Sequence, residues 1–247
     1  MEYSYLAFIL STIAGLSTLL GTIFIFIHFK HQETILISAL SFAAGVMITV
    51  SCFDLIPSSF QNLNADFYII PSCLLCMIGI CIGVILSIFI DEKVPSKSNQ
   101  LKRVGMISFI AIILHNIPEG IATYLTANRN IDVGIALTCA IALHNIPEGI
   151  SISIPIYYSS NSRLKAFLYT LISSLSEPLG AIIAFLFLST WITPTIMGMI
   201  YAMIAGIMIH ISCYELLPTA LQYHQRTKTF FFFFLGTIVM LFSHIFI

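Results

Sequence analysis

Leu114-His-Asn-Ile-Pro-Glu-Gly-Ile121 recurs letter for letter as Leu143-His-Asn-Ile-Pro-Glu-Gly-Ile150, 29 residues further on. Each copy lies inside an apolar stretch, residues 104–126 and 133–156. Either stretch has the roughly 20 mostly apolar residues that a helix needs to cross a bilayer. Helices joined by so short a connection run in opposite directions, so one motif enters the membrane twice, once in each orientation. Outward from this pair lie six more apolar stretches, 5–27, 35–57, 67–90, 164–188, 195–221 and 229–247. The expected fold is therefore an all-α integral membrane protein, eight transmembrane helices forming a single transmembrane domain over residues 1–247.

Composition points the same way. Of 247 residues, 58% are hydrophobic and 9% charged, with a mean hydropathy of +1.00. About a quarter of a soluble domain is charged, so this chain has too few charges to clothe a water-facing surface, and the lipid bilayer is its main solvent. A net charge of -1 argues against nucleic acid or any strongly polarised partner. The first apolar stretch follows Glu2 rather than a basic region and outruns the roughly 7–15 residues of a signal-peptide core, so it is expected to remain as a helix. Six cysteines, Cys52, Cys73, Cys76, Cys81, Cys139 and Cys213, all fall in apolar stretches and read as small hydrophobes. The Cys73–Cys76 spacing is only a weak metal or redox signal.

Positive charge sets the orientation. Nine of the ten Lys and Arg fall in the odd-numbered connections: Lys30; Lys93, Lys97, Lys102 and Arg103; Arg163 and Lys165; Arg226 and Lys228. Arg129 alone falls in an even one. The odd connections are expected in the cytoplasm and both termini outside. The longest, residues 91–103, is polar, contains Pro95, and reads as a flexible hinge.

A second repeat is longer and looser. Ala44–Pro57, AGVMITVSCFDLIP, aligns with Ala205–Pro218, AGIMIHISCYELLP, at an offset of 161. These stretches lie five spans apart and are therefore antiparallel as well. Repeats of inverted topology mark secondary transporters that bind cargo near the midplane.

Ionisable groups inside a bilayer cost on the order of 2.5–3.5 kcal/mol each and need a partner or a purpose. The groups concerned are Asp54, His115, Glu119, His144, Glu148, Glu177, His210 and Glu215. His115 lies about 17 Å into its span at 1.5 Å per residue, roughly half of a ~30 Å hydrocarbon core. His144 and Glu177 fall at similar depth. Within each motif His and Glu are four apart, so they share a helix face, with Asn116 and Asn145 at its edge. Pro118 and Pro147 cannot donate to the carbonyls of Leu114 and Leu143, while Gly120 and Gly149 permit close helix contact. Two imidazoles and two carboxylates, with Glu177 as a further carboxylate, suit zinc, iron, manganese or cobalt. Clustered carboxylates without a cation would repel one another. Asp54 and Glu215 read either as staging carboxylates at entrance and exit or as helix-end groups. His210 reads either as part of the pathway or as an interhelical hydrogen-bonding group.

With those residues on the page, the chain resembles the Zrt/Irt-like (ZIP) metal-ion transporters, in particular the bacterial zinc-uptake, ZupT-like branch. The eight spans, the paired HNIPEG motifs and Ser176-Glu-Pro-Leu-Gly-Ala181 carry the likeness over nearly the whole chain. The resemblance implies a 3+2+3 helix arrangement and a binuclear site between the fourth and fifth helices. One metal position would use His115, Glu119, His144 and Glu148. The second would use Asn116, Asn145 and Glu177, with Glu119 and Glu148 bridging. The resemblance further implies uptake across the cytoplasmic membrane, no catalytic cofactor, movement of helices 1, 4, 5 and 6 against the rest, and homodimers. Two departures bear on this. Residues 91–103 hold no His, so no metal-sensing loop is expected, and Asn145 is neutral where some zinc-selective members place an acid, so broad metal selectivity is expected. An intramembrane zinc metallohydrolase is the rival reading, but the chain has no HExxH and no separate general base beside the motifs. A di-iron bundle protein would place Glu before His, the reverse of the order found. The chain is expected not to be an enzyme.

Overall fold

A computed structural model describes residues 4–27, 32–94, 99–188 and 193–245. Eight helices long and apolar enough to cross a membrane follow one another: α1 Ser4–Ile25, α2 Gln32–Asp66, α3 Ile69–Lys93, α4 Gln100–Arg129, α5 Ile131–Ser160, α6 Arg163–Leu186, α7 Pro194–Leu221 and α8 Arg226–Ser243. There is no strand among the described residues. Polar side chains start several of the helices. Asn99 accepts from Leu101 N, Asn130 from Asp132 N and Val133 N, Ser162 from Lys165 N, and Thr193 from Ile196 N.

Two expectations need correcting. The second span does not stop at Pro57 but continues to Asp66. Both α2 and α7 widen into one π-helical stretch just before their prolines, Ser51–Leu55 and Ser212–Leu216. There Ile56 N reaches back to Ser51 O, and Leu217 N to Ser212 O. A proline cannot donate to the carbonyl four residues earlier and its ring crowds that carbonyl. The wider turn absorbs the clash and lets the helix run on. Asp54 therefore sits twelve residues before the end of α2, well inside it. The second correction concerns residues 91–103. Asp91–Lys93 belong to α3, and Gln100–Arg103 to α4. The hinge expected around Pro95 lies outside the described residues.

Small residues let the helices meet along their backbones, and they do so in matched pairs. A Cβ added at Gly45 of α2 would come within 2.1 Å of Phe233 O in α8, and one at Gly206 of α7 within 2.2 Å of Ile80 O in α3. The reverse contacts match too: Gly236 of α8 on Phe42 O at 2.3 Å, Gly83 of α3 on Met203 O at 1.9 Å. The pairing α2–α8 thus repeats as α7–α3. This is the 3+2+3 inverted repeat at atomic level, with the first three helices related to the last three and α4 related to α5. Without a hydrophobic drive between helices in lipid, such close backbone approach is what holds a bundle together. An apolar core, with Ile37, Leu40, Ile107, Ile112, Ile152, Ile204 and Ile211 among its buried members, packs α2, α4, α5 and α7 around the motifs.

Candidate metal site

Helices α4 and α5 bring the two LHNIPEGI copies face to face. His115, Asn116, Glu119, His144, Asn145 and Glu148 are all buried, none more than 5% exposed. Nε2 of His144 is 3.0 Å from Glu119 Oε1 and hydrogen-bonded to it. Nε2 of His115 lies 3.1 Å from Glu119 Oε1 and 3.2 Å from Glu148 Oε1, but without hydrogen-bond alignment. Glu119 thus stands between both imidazoles, while the rings lie 6.3 Å apart, tilted by 53°.

Helix α6 supplies the third carboxylate by breaking. Its first part ends at Ser174, Leu175 forms a turn, and a new helical stretch starts at Ser176. Pro178 has no N–H for Ser174 O, which favours the break, and Glu177 falls in the first turn of the new stretch, fully buried. Asn145 Nδ2 donates to Glu177 Oε2 and to Ala14 O, both at 2.9 Å, and Asn116 Nδ2 donates to Ser173 O at 3.3 Å. The break can sit so close to α4 because residue 120 is glycine. A Cβ there would come within 1.9 Å of Glu177 O.

The donor set fits a cation on its own chemistry. Buried polar atoms are normally satisfied, yet nine atoms of these seven residues have no hydrogen-bond partner: both nitrogens of His115, Nδ1 of His144, Oδ1 of Asn116 and Asn145, Oε2 of Glu119, both oxygens of Glu148, and Oε1 of Glu177. One atom each of His115, His144 and Glu148 lie within 4.8 Å of one another. Ligands at about 2.1 Å from one ion stand roughly 3.4–4.2 Å apart, so a modest contraction would bring these three onto one metal. Imidazole and carboxylate together suit borderline divalent ions.

The remaining sequence candidates separate. Asp54 borders a cavity of about 100 Å³ that also reaches Glu119, His144, Ser58 and Tyr201. Glu215 does not face the cluster. It is 6% exposed and pairs with Arg103 Nη1 at 3.4 Å, while Arg103 Nη2 binds Asp91. His210 stays apart too, its Nδ1 hydrogen-bonded to Ser87 of α3 at 2.8 Å and its ring stacked on Tyr214 at 4.8 Å. Two residues escaped the sequence reading. Arg103 counted there as a loop cation, and only the fold brings it beneath Glu215. Tyr201, whose ring lines the Asp54 cavity and a neighbouring one of about 220 Å³, is an ordinary aromatic in an apolar helix and carries no sequence signal.

Comparison with known proteins agrees with this geometry. A model of the family described as "ZIP Zinc transporter" matches residues 91–244. The chain is 37% identical to "Zinc transporter ZupT" of Streptococcus mutans over 254 residues, covering 97% of this chain and 96% of that protein. It is 39% identical to "Zinc transporter ZupT" of Chlorobium phaeovibrioides over 245 residues, 92% of each. "Zinc transporter ZupT" of Clostridium perfringens matches at 34% over 271 residues, 97% of this chain and 95% of that one. With a duplicated His/Asn/Glu motif buried between two inverted helices, and likeness along nearly its whole length, the chain belongs to the ZIP zinc transporter family.

Proposed function

We propose that this protein takes up divalent transition-metal ions across the cytoplasmic membrane, zinc first and also Fe(II), Mn(II) and Co(II). It is a multi-pass membrane transporter and not an enzyme. The observation that carries the reading is the set of nine potential ligand atoms without a hydrogen-bond partner on seven buried side chains between α4, α5 and α6. The cation is cargo. It would sit in one position among His115, Glu119, His144 and Glu148, and in a second among Asn116, Asn145 and Glu177, with Glu119 and Glu148 bridging. Passage needs ligands that select the ion and still release it, and mixed imidazole, amide and carboxylate donors meet that need.

The two ends of the passage differ. On the Asp54 side a cavity leads to Glu119 and His144, which supports entry there. On the other side Arg103 ties Glu215 to Asp91, which supports a closed exit opened by moving α1, α4, α5 and α6 against the other helices. Entry from outside, both termini outside, the domain spanning residues 1–247 and assembly as a homodimer belong to the same proposal. Neutral Asn145 supports broad selectivity, and competition of excess iron or manganese with labelled zinc uptake tests it.

The deciding experiment is uptake into proteoliposomes with Zn(II), Fe(II), Mn(II) and Co(II) offered separately, wild type against Glu148→Ala. Saturable uptake lost in the variant is the expected result. Tight binding with no flux in the wild type would overturn the transport reading and favour a metallohydrolase.

A further inference from the structure

Helix α1 has no Asp, Glu, His, Lys or Arg, yet its packing gives it a place in the site. Gly15-Leu-Ser-Thr-Leu-Leu-Gly21 and Ser174-Leu-Ser-Glu-Pro-Leu-Gly180 share four of seven residues at an offset of 159. The contacts of these two stretches correspond one by one. Ala14 O accepts from Ser17 Oγ and from Asn145 Nδ2; Ser173 O accepts from Ser176 Oγ and from Asn116 Nδ2. A Cβ at Gly149 would meet Thr18 O at 1.9 Å, and one at Gly120 would meet Glu177 O at 1.9 Å. Gly21 lies on Ile146 O as Gly180 lies on Ile117 O. Even the breaks agree: α1 passes from α-helix to 3₁₀ at Thr18, and α6 restarts at Ser176. One pseudo-two-fold operation therefore exchanges α1 with α6 and α4 with α5. It carries Glu177 onto Thr18 and Asn145 onto Asn116.

The counterpart of the Glu177–Asn145 pair is incomplete. A threonine side chain reaches two bonds less far than glutamate. Threonine hydroxyls in these helices return to a carbonyl of the preceding turn, four residues back for Thr12, Thr49, Thr138 and Thr170 and three back for Thr22. Thr18 makes no such bond, and the carbonyl four back, Ala14 O, is taken by Ser17 and Asn145. Thr18 is fully buried, and its Oγ1 has no hydrogen-bond partner, nor does Asn116 Oδ1. Two neutral oxygens thus stand where the other half of the site holds a carboxylate and its amide.

We propose that Thr18 is a specificity-determining residue of the metal passage, its hydroxyl taking up, with Asn116 Oδ1, the cation or one of its hydration waters on the side opposite Glu177. The proposal rests on the uptake reading above. Neutral oxygens are hard donors that suit Mn(II), whereas imidazole suits Zn(II), so Thr18 supports the harder ions. The test is uptake and equilibrium binding of Mn(II) and Zn(II), each measured on wild type, Thr18→Val, Thr18→Ser and, as a buried control, Thr170→Val. Losing one contact of about hydrogen-bond strength corresponds to roughly fivefold in affinity. Thr18→Val is expected to lower the Mn(II)/Zn(II) ratio about fivefold, with Thr18→Ser and Thr170→Val near wild type. An unchanged ratio in Thr18→Val, whether uptake holds or falls equally for both metals, would overturn the proposal. Absence of flux in the wild type would overturn the uptake reading instead, and the binding ratio would still decide the role of Thr18.

Discussion

Ser51-Cys-Phe-Asp-Leu55 and Ser212-Cys-Tyr-Glu-Leu216 are the same structural device in opposite halves of the molecule. Each is a π-helical stretch two residues before a proline, and each carries one acid at its fourth position. Their surroundings differ. Asp54 is half-buried at a cavity that continues to Glu119 and His144. Glu215 is buried and tied through Arg103 to Asp91. The arginine itself is not repeated: the pseudo-two-fold that relates α4 to α5 carries Arg103 onto Asp132, at the start of α5. Repeated sequence thus sets the local backbone at both ends, while the unrepeated Arg103 gives the Glu215 end its ion pairs.

If the scaffold is symmetric and only the ends differ, scaffold substitutions should act in matched pairs. Gly45→Val and Gly206→Val each force a side chain into a backbone carbonyl about 2 Å away. Overpacking of this kind costs about 1–3 kcal/mol or more. Both are expected to lower the unfolding temperature in detergent strongly and by similar amounts. A gap of more than about 1 kcal/mol between them would break the symmetry argument.

The next effect should be one-sided. Arg103→Met leaves Glu215 and Asp91 facing each other without the cation between them, for about 1–3 kcal/mol, since the arginine is partly exposed. Thermal unfolding is expected to drop accordingly, and to drop less when Glu215→Gln is already in place. Unchanged stability, or the same drop in both backgrounds, would show that the ion pair does not hold this end together. Asp54→Asn, by contrast, should leave stability within about 1 kcal/mol and raise the KM for zinc uptake about tenfold, through loss of cation attraction at the entrance. An unchanged KM would remove Asp54 from the path.

The smallest effect is expected at His210. Ser87→Ala removes its hydrogen-bond partner, which costs about 1 kcal/mol and should leave uptake within about twofold. A larger loss of uptake than of stability would move His210 from interhelical contact to pathway.

Much of this was legible in the residues. Eight apolar runs, the duplicated LHNIPEGI and the 161-residue repeat led directly to eight spans and an inverted arrangement. His115, Asn116, Glu119, His144, Asn145, Glu148 and Glu177 do meet in one buried cluster. Helical spacing is local, so residues four apart in the chain announce a shared face before any packing is known. The apolar run stops at Pro57 because residues 58–66, SSFQNLNAD, are mostly polar, yet the helix continues through them, and hydropathy does not register such a polar extension. The kinship of Thr18 with Glu177 was overlooked because hydroxyl and carboxylate look unrelated until their backbones occupy equivalent places.

By itself, then, the sequence determined that lipid is the solvent, that the helices number eight, and that the costly polar groups lie at one depth, because hydropathy and helical period are properties of consecutive residues. Packing alone shows which buried polar atoms have no hydrogen-bond partner, that Arg103 pairs with Glu215 and Asp91, that Tyr201 borders the Asp54 cavity, and that α1 lies against Asn145 and Gly149. Those facts depend on which helices pack against which, down to glycines where an added Cβ would meet a neighbouring backbone about 2 Å away, and no spacing along the chain encodes that.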